Sequence, residues 1–88
     1  MAEILVRNDE ILWRLVEDKV VILDMDEAIA IMLNDVGSHI WTALQTQKTK
    51  EELINQVIEA FDADKETVRK DVHSFLNDMI KRDLIRIR

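Results

Sequence analysis

Residues 26–34 read DEAIAIMLN, and positions 28–33 of this stretch carry no charge. Side chains of a β-strand alternate between its two faces. That alternation places Ile29, Ile31 and Leu33 on one face and Ala28, Ala30 and Met32 on the other. The bulky set suits a buried face. The small alanine side chains project little from the other face. The segment therefore has the composition of a half-buried strand.

A helix is the alternative for this segment, because Ala, Met and Leu favour helix and apolar residues recur at helical spacing. Two features favour the strand. Gly37 would fall in the middle of such a helix, and Asn34 with Asp35 is better placed as a turn and N-cap for a helix that follows. We therefore predict a strand over residues 28–33 and a helix from Asp35.

Two further strands are predicted before this one, at residues 11–16 (ILWRLV) and 20–23 (VVIL). The polar turns at 17–19 and 24–27 separate the three segments, which is the pattern of an antiparallel meander. In a meander the third strand pairs with the second and leaves its other edge free. Most proteins protect such an edge with Lys, Pro or a bulge, and residues 28–33 contain no Lys or Pro.

Three helices are predicted from Asp35 onward. The first ends in the polar stretch 45–48, the second begins with a capping box of Thr49 and Glu52, and the third follows the turn at 62–64 with Asp64 as its N-cap. Their apolar stripes recur every three to four residues. The third stripe consists of Val68, Val72, Phe75, Leu76, Met79 and Ile80. Residues 84–88 can add a short strand. The fold class is α+β: an N-terminal three-stranded antiparallel sheet packed on a three-helix bundle, similar to a winged helix.

Composition limits the classes of function. A chain of 88 residues predicts a single domain, 1–88. The net charge of −6 opposes nucleic-acid binding, which relies on Lys and Arg. The absence of cysteine fits a reducing cytoplasm, and neither a membrane-spanning segment nor a signal peptide is evident. We expect a cytoplasmic protein with no membrane partner.

Candidate catalytic and metal-binding groups are few. His39 and His73 are each isolated, and the acidic turn with Asp24, Asp26 and Glu27 lacks the glycine of a calcium loop. No Ser-His-Asp arrangement or cysteine nucleophile is present. We therefore predict a protein that is not an enzyme and has neither cofactor nor metal.

Residues 33–41, LNDVGSHIW, resemble the LN…G…IW signature of PqqD-like proteins. Thr49 and Glu52, the DVHSFL of residues 71–76 and the DLI of residues 83–85 follow at matching distances. The resemblance covers residues 13–85. One departure is Asp83, which stands where the family usually has glycine.

This resemblance implies a RiPP recognition element, a domain that binds the leader of a ribosomally synthesised and post-translationally modified peptide (RiPP). In such domains the leader adds as a strand to the third strand, and its side chains enter a groove beside the third helix. The implied peptide-binding residues are Glu27, Ala28, Ile29, Ala30, Ile31, Met32, Leu33, Val68, Arg69, Val72, Phe75 and Leu76. Either flank of that helix fits the groove: Arg69, Val72 and Leu76 on one side, or Asp71 and Phe75 on the other.

The resemblance implies as partners a precursor peptide and a maturation enzyme, such as the leader protease of a lasso-peptide cluster. The alternative is a chaperone of the pyrroloquinoline quinone precursor that works with a radical SAM enzyme. A winged-helix DNA-binding protein is a third interpretation, which the mixed charges of the third helix oppose. A free edge strand also allows either a monomer or a weak dimer.

Overall fold

The computed structural model describes residues 3–88, so the first two residues of the predicted domain lie outside it. In chain order the elements are β1 (Ile4–Arg7), β2 (Leu12–Val16), β3 (Lys19–Asp24), β4 (Ile29–Met32), α1 (Asp35–Ala43), β5 (Lys48–Thr49), α2 (Lys50–Phe61), α3 (Lys65–Lys81) and β6 (Ile85–Ile87). The predicted α+β class is confirmed. The comparison with a winged helix stays a prediction.

The predicted meander is an antiparallel sheet with the order β2-β3-β4. Glu17 and Asp18 join β2 to β3 with φ angles of 52° and 71°. A two-residue turn with positive φ at both positions matches the right-handed twist of the flanking strands. The loop between β3 and β4 is longer, and the Asp24 carboxylate accepts hydrogen bonds from the amides of Asp26 and Glu27 there.

A second antiparallel sheet has the order β5-β1-β6. Of its three strands, the sequence predicted only the one near the C-terminus. β5 has two residues and β1 has four, which is too short for a periodic pattern to identify them. The register pairs Leu5 with both Lys48 and Ile87. This sheet therefore brings the N-terminal segment against the C-terminal strand.

The helices begin where the sequence predicts. The Asn34 side chain caps α1 by accepting a hydrogen bond from the Gly37 amide at 2.8 Å. Thr49 and Glu52 form the predicted capping box of α2, and the hydrogen bond from the Thr49 amide lowers the pKa of the Glu52 carboxyl. Asp64 caps α3 through the Thr67 amide. All three caps satisfy amides that would otherwise lack a partner.

Asp83 occupies a position that favours glycine, with a φ of 60° at the end of α3. The Leu84 amide donates to the Met79 carbonyl at 2.9 Å, and the Asp83 amide donates to the Ile80 carbonyl at 3.0 Å. These two bonds form a Schellman motif. Aspartate tolerates the left-handed region better than most residues. The departure from glycine therefore leaves the tight end of α3 intact.

The core lies between the β2-β3-β4 sheet, the second sheet and the helices. Its fully buried side chains include Val20, Ile22, Ile40, Trp41, Leu53, Ile54, Val57, Val72, Leu84 and Ile85. Arg7 links the two sheets, because its guanidinium lies 5.0 Å from the Trp13 ring centre and 5.6 Å from that of Trp41. Burial lowers the pKa of Arg7. No helix within residues 3–88 has the length and apolar character to cross a membrane.

Candidate functional site

β4 is an edge strand of its sheet, with β3 on one side. The Leu33 amide donates to the Val20 carbonyl at 2.8 Å. Residues of an antiparallel pair alternate between facing their partner strand and facing away from it. Because the Leu33 amide bonds to β3, Ile31 and Ile29, which lie two and four residues before it, also turn their main-chain groups toward β3. Those of Ala30 and Met32 face the open edge.

Within residues 3–88, no hydrogen bond outside the β3–β4 ladder involves the main chain of Ala30 or Met32. The open edge of β4 therefore presents the N–H and C=O groups of these two residues. A second open edge exists on β2, where the same alternation turns the main chain of Trp13 and Leu15 outward.

The side chains of β4 become more buried along the strand. Ile29 is 43% exposed, Ile31 is half-buried against the core, and Leu33 is 5% exposed. The other face is open, since Met32 is 62% exposed and Ala30 is exposed as well. The prediction that the bulky set is buried therefore describes the end at Leu33 better than the end at Ile29.

The predicted strand is longer than the observed one. Ala28 lies in the turn that precedes β4, with a φ of 56°, and Glu27 lies in the same turn. The capping carboxylate of Asp24 holds this turn, so regular pairing begins at Ile29. Neither Glu27 nor Ala28 belongs to the strand, although both lie at its start.

Ser38 fixes the far end of β4 from within α1. Its hydroxyl accepts a hydrogen bond from the Val20 amide at 2.9 Å and donates one to the Leu33 carbonyl at 3.3 Å. In a regular antiparallel pair the Val20 amide would donate directly to the Leu33 carbonyl. Here the Ser38 hydroxyl bridges these two groups instead. Ser38 is 4% exposed, so water is excluded from this bridge. This bridge holds α1 against β3 and the end of β4.

The same flank of α3 lies near both ends of β4. At the C-terminal end, a Cβ atom added to Gly37 would come within 2.8 Å of the Phe75 ring. At the N-terminal end, a cleft of about 430 Å³ is lined by Asp24, Asp26, Glu27, Asp78, Lys81 and Arg82. Phe75, Asp78 and Arg82 share one helix face, since they are three or four residues apart. We call the space between β4 and this flank the β4–α3 groove.

Of the five predicted residues on α3, Phe75 lies on this flank. Arg69 lies on the opposite flank, where its guanidinium donates to the Glu51 carboxylate of α2 at 2.7 Å. That hydrogen bond lowers the pKa of Glu51. Leu76 lines a separate cleft with Leu5 and Ile87 of the second sheet. Val68 and Val72 are 3% and 0% exposed and belong to the core.

The end of the groove near the β3–β4 turn is acidic. Four carboxylates meet two basic side chains there, and Arg82 pairs with Asp78 at 3.5 Å. Asp78, Lys81 and Arg82 were not predicted as site residues. The helical spacing from Phe75 would have identified Asp78 and Arg82, had the sequence shown which flank faces β4. In the part of the chain that the structure describes, no group of three His, Cys, Asp or Glu side chains is arranged to hold a metal ion.

Comparison with protein-family models matches residues 19–85 to the family described as "Coenzyme PQQ synthesis protein D (PqqD)".

Among solved structures, the chain resembles TbiB1 in complex with the TbiA(beta) leader peptide. The two are 27% identical with a TM-score of 0.80 over 92% of this chain and 94% of TbiB1. It also has the fold of the PqqD truncation of Methylobacterium extorquens PqqCD, described as a stand-alone RiPP recognition element. Here the identity is 15% and the TM-score 0.74, over 94% of this chain and 88% of that one. No curated protein sequence matches.

Proposed function

This chain belongs to the PqqD family, and from that premise we propose that it binds the leader segment of a ribosomally synthesised precursor peptide. The leader adds as a strand to the open edge of β4. Alternate leader side chains enter the β4–α3 groove. The protein acts by binding and is not an enzyme.

The observation that carries this proposal is the open edge of β4 beside a flank of α3. Strand addition needs unpaired main-chain groups and neighbouring apolar contacts for alternate side chains of the guest. Ala30 and Met32 supply the main-chain groups, while Ile29, Ile31 and Phe75 supply partly exposed apolar surface. The likeness to TbiB1, whose structure contains a leader peptide, supports a leader peptide as the ligand.

The experiment that tests the proposal is hydrogen exchange in the presence of the leader, using the precursor peptide encoded beside this gene. In the complex, the amides of Ala30 and Met32 should exchange more slowly, because the guest strand accepts their hydrogen bonds. The amides of Trp13 and Leu15 on the β2 edge serve as the matched control and should not change. Protection at β2 alone, or no binding at all, would contradict the proposal.

The acidic end of the groove predicts a basic leader residue near Asp26 and Glu27. Both are exposed, so each contact with a cation contributes at most about 1 kcal/mol. The double variant Asp26→Asn with Glu27→Gln should bind the leader about two- to tenfold more weakly at low salt. The difference from wild type should fade as salt rises. Titration by fluorescence anisotropy at two salt concentrations measures both effects, and equal affinities at low salt would exclude a basic residue at this end.

We place the protein in lasso-peptide biosynthesis, where it presents the bound precursor to a leader protease. The likeness to TbiB1, whose structure holds a leader peptide, supports a role in presenting a leader. The second candidate is the pyrroloquinoline quinone pathway, which the description of the matching family favours. The neighbouring genes distinguish the two. A transglutaminase-like protease and an asparagine-synthetase-like cyclase indicate the first pathway, and a radical SAM enzyme indicates the second.

A further inference from the structure

The face of the β2-β3-β4 sheet that points away from the helices has an unusual composition. The pairing register and the alternation of side chains place on it Leu12, Arg14, Val16, Lys19, Val21, Leu23, Ala30 and Met32. We call these eight residues the outer face. None of them is acidic, although Asp and Glu number 18 in this chain and Lys and Arg only 12.

Three large apolar side chains of the outer face are exposed, while Val21 and Leu23 are half-buried. Leu12 is 57%, Val16 44% and Met32 62% exposed. No outer-face residue is buried in the core or packs against it. A contiguous exposed apolar surface on a small domain marks a site of interaction.

The two cations of the outer face differ in their surroundings. Lys19 pairs with the Asp35 carboxylate at 3.2 Å. Arg14 forms no ion pair within the described residues 3–88. The register places Arg14 of β2 opposite Val21 of β3, and Leu12 and Val16 lie two residues before and after Arg14 on the same face. A partner that complements this face presents apolar side chains around a carboxylate.

We propose that the outer face is the docking surface for the enzyme that acts on the bound precursor, and that this enzyme presents an apolar surface with a carboxylate opposite Arg14. The inference rests on the proposed leader binding. A guest strand at the edge of β4 lies about 4.8 Å from it and extends the same sheet. Alternate side chains of the guest then continue the outer face beside Ala30 and Met32. An enzyme docked there contacts the protein and its leader together.

A second copy of this chain is a less suitable occupant. Two outer faces placed together bring cations against cations, with no carboxylate on either face to pair with Arg14. Like charges brought together at an interface oppose association. The charge of this face therefore favours a different protein.

The test compares Leu12→Glu and Arg14→Glu with the control Leu15→Glu. Leu12 and Leu15 belong to the same strand and are 57% and 58% exposed, yet they lie on opposite faces of the sheet. All three positions lie on β2, so β3 and β4 separate them from the guest strand. The probe is the purified maturation enzyme encoded beside the precursor gene, and its affinity for the leader-bound protein is measured by biolayer interferometry. Leader affinity is measured separately by fluorescence anisotropy.

We expect Leu12→Glu and Arg14→Glu each to weaken enzyme binding about tenfold or more. Leu15→Glu should leave it within about twofold, and all three variants should bind the leader like wild type. Unchanged enzyme binding by Leu12→Glu and Arg14→Glu, with leader binding intact, would overturn the docking proposal alone. Failure of the wild-type protein to bind the leader would overturn the proposed function. A wild-type dimer that Leu12→Glu converts to a monomer would assign the outer face to a second copy.

Discussion

Replacing Ala30 with proline is expected to abolish leader binding while leaving the protein folded. Proline removes the outward N–H of position 30, and its ring occupies the edge where the guest strand would lie. A guest carbonyl left without a partner costs about 2 kcal/mol or more, which is about thirtyfold in the dissociation constant. Fluorescence anisotropy with the leader peptide measures the loss, and circular dichroism shows whether the helices persist.

Two proline variants serve as controls for Ala30→Pro. Leu15→Pro removes an outward N–H from the other edge of the same sheet, so it should fold and bind the leader normally. Ile31→Pro removes an amide that faces β3, and it should therefore destabilise the sheet itself. Tight binding by Ala30→Pro would show that the leader does not pair with β4. Loss of binding by Leu15→Pro alone would assign the leader to the β2 edge.

Most of the fold could be predicted from the sequence because its signals are local. The alternation that predicts β4 and the caps at Asn34, Thr49 and Asp64 act within a few residues, and the structure contains the strand over Ile29–Met32 and all three caps. Asp83 stands where the family usually has glycine. Its φ of 60° shows that aspartate there adopts the conformation glycine would favour.

What the sequence left open depends on contacts between distant segments. The flank of α3 that faces β4 carries Phe75, which packs against Gly37, and the other flank carries Arg69, which pairs with Glu51 of α2. No periodic pattern along one helix contains that information. The second sheet depends in the same way on pairing of Leu5 with Lys48 and Ile87. The residues predicted on β4 therefore form the candidate edge itself, whereas of the five predicted on α3 Phe75 alone lies on the flank that faces this edge.

The Ser38 hydroxyl bridges β3 and the end of β4 from within α1, so Ser38→Ala is expected to be strongly destabilising. Without the hydroxyl, the Val20 amide and the Leu33 carbonyl lose their shared partner in a buried place. Each buried group without a partner costs about 1–3 kcal/mol. We expect the free energy of unfolding to fall by about 2–3 kcal/mol, a large fraction of the stability of a small domain. Urea unfolding measures this change.

Thr42→Val is the matched control for Ser38→Ala, because it also removes a hydroxyl from α1. The Thr42 hydroxyl donates to the Ser38 carbonyl at 2.9 Å from an exposed side chain, so its loss should cost less than about 1 kcal/mol.

Ser38→Ala should also speed hydrogen exchange at the Leu33 amide, since the end of β4 opens more often. Leader affinity should fall by a few-fold at most, because Ala30 and Met32 keep their outward groups. A stability of Ser38→Ala equal to wild type would mean that β3 and β4 close directly once the hydroxyl is gone. In that case α1 does not determine where the open edge lies.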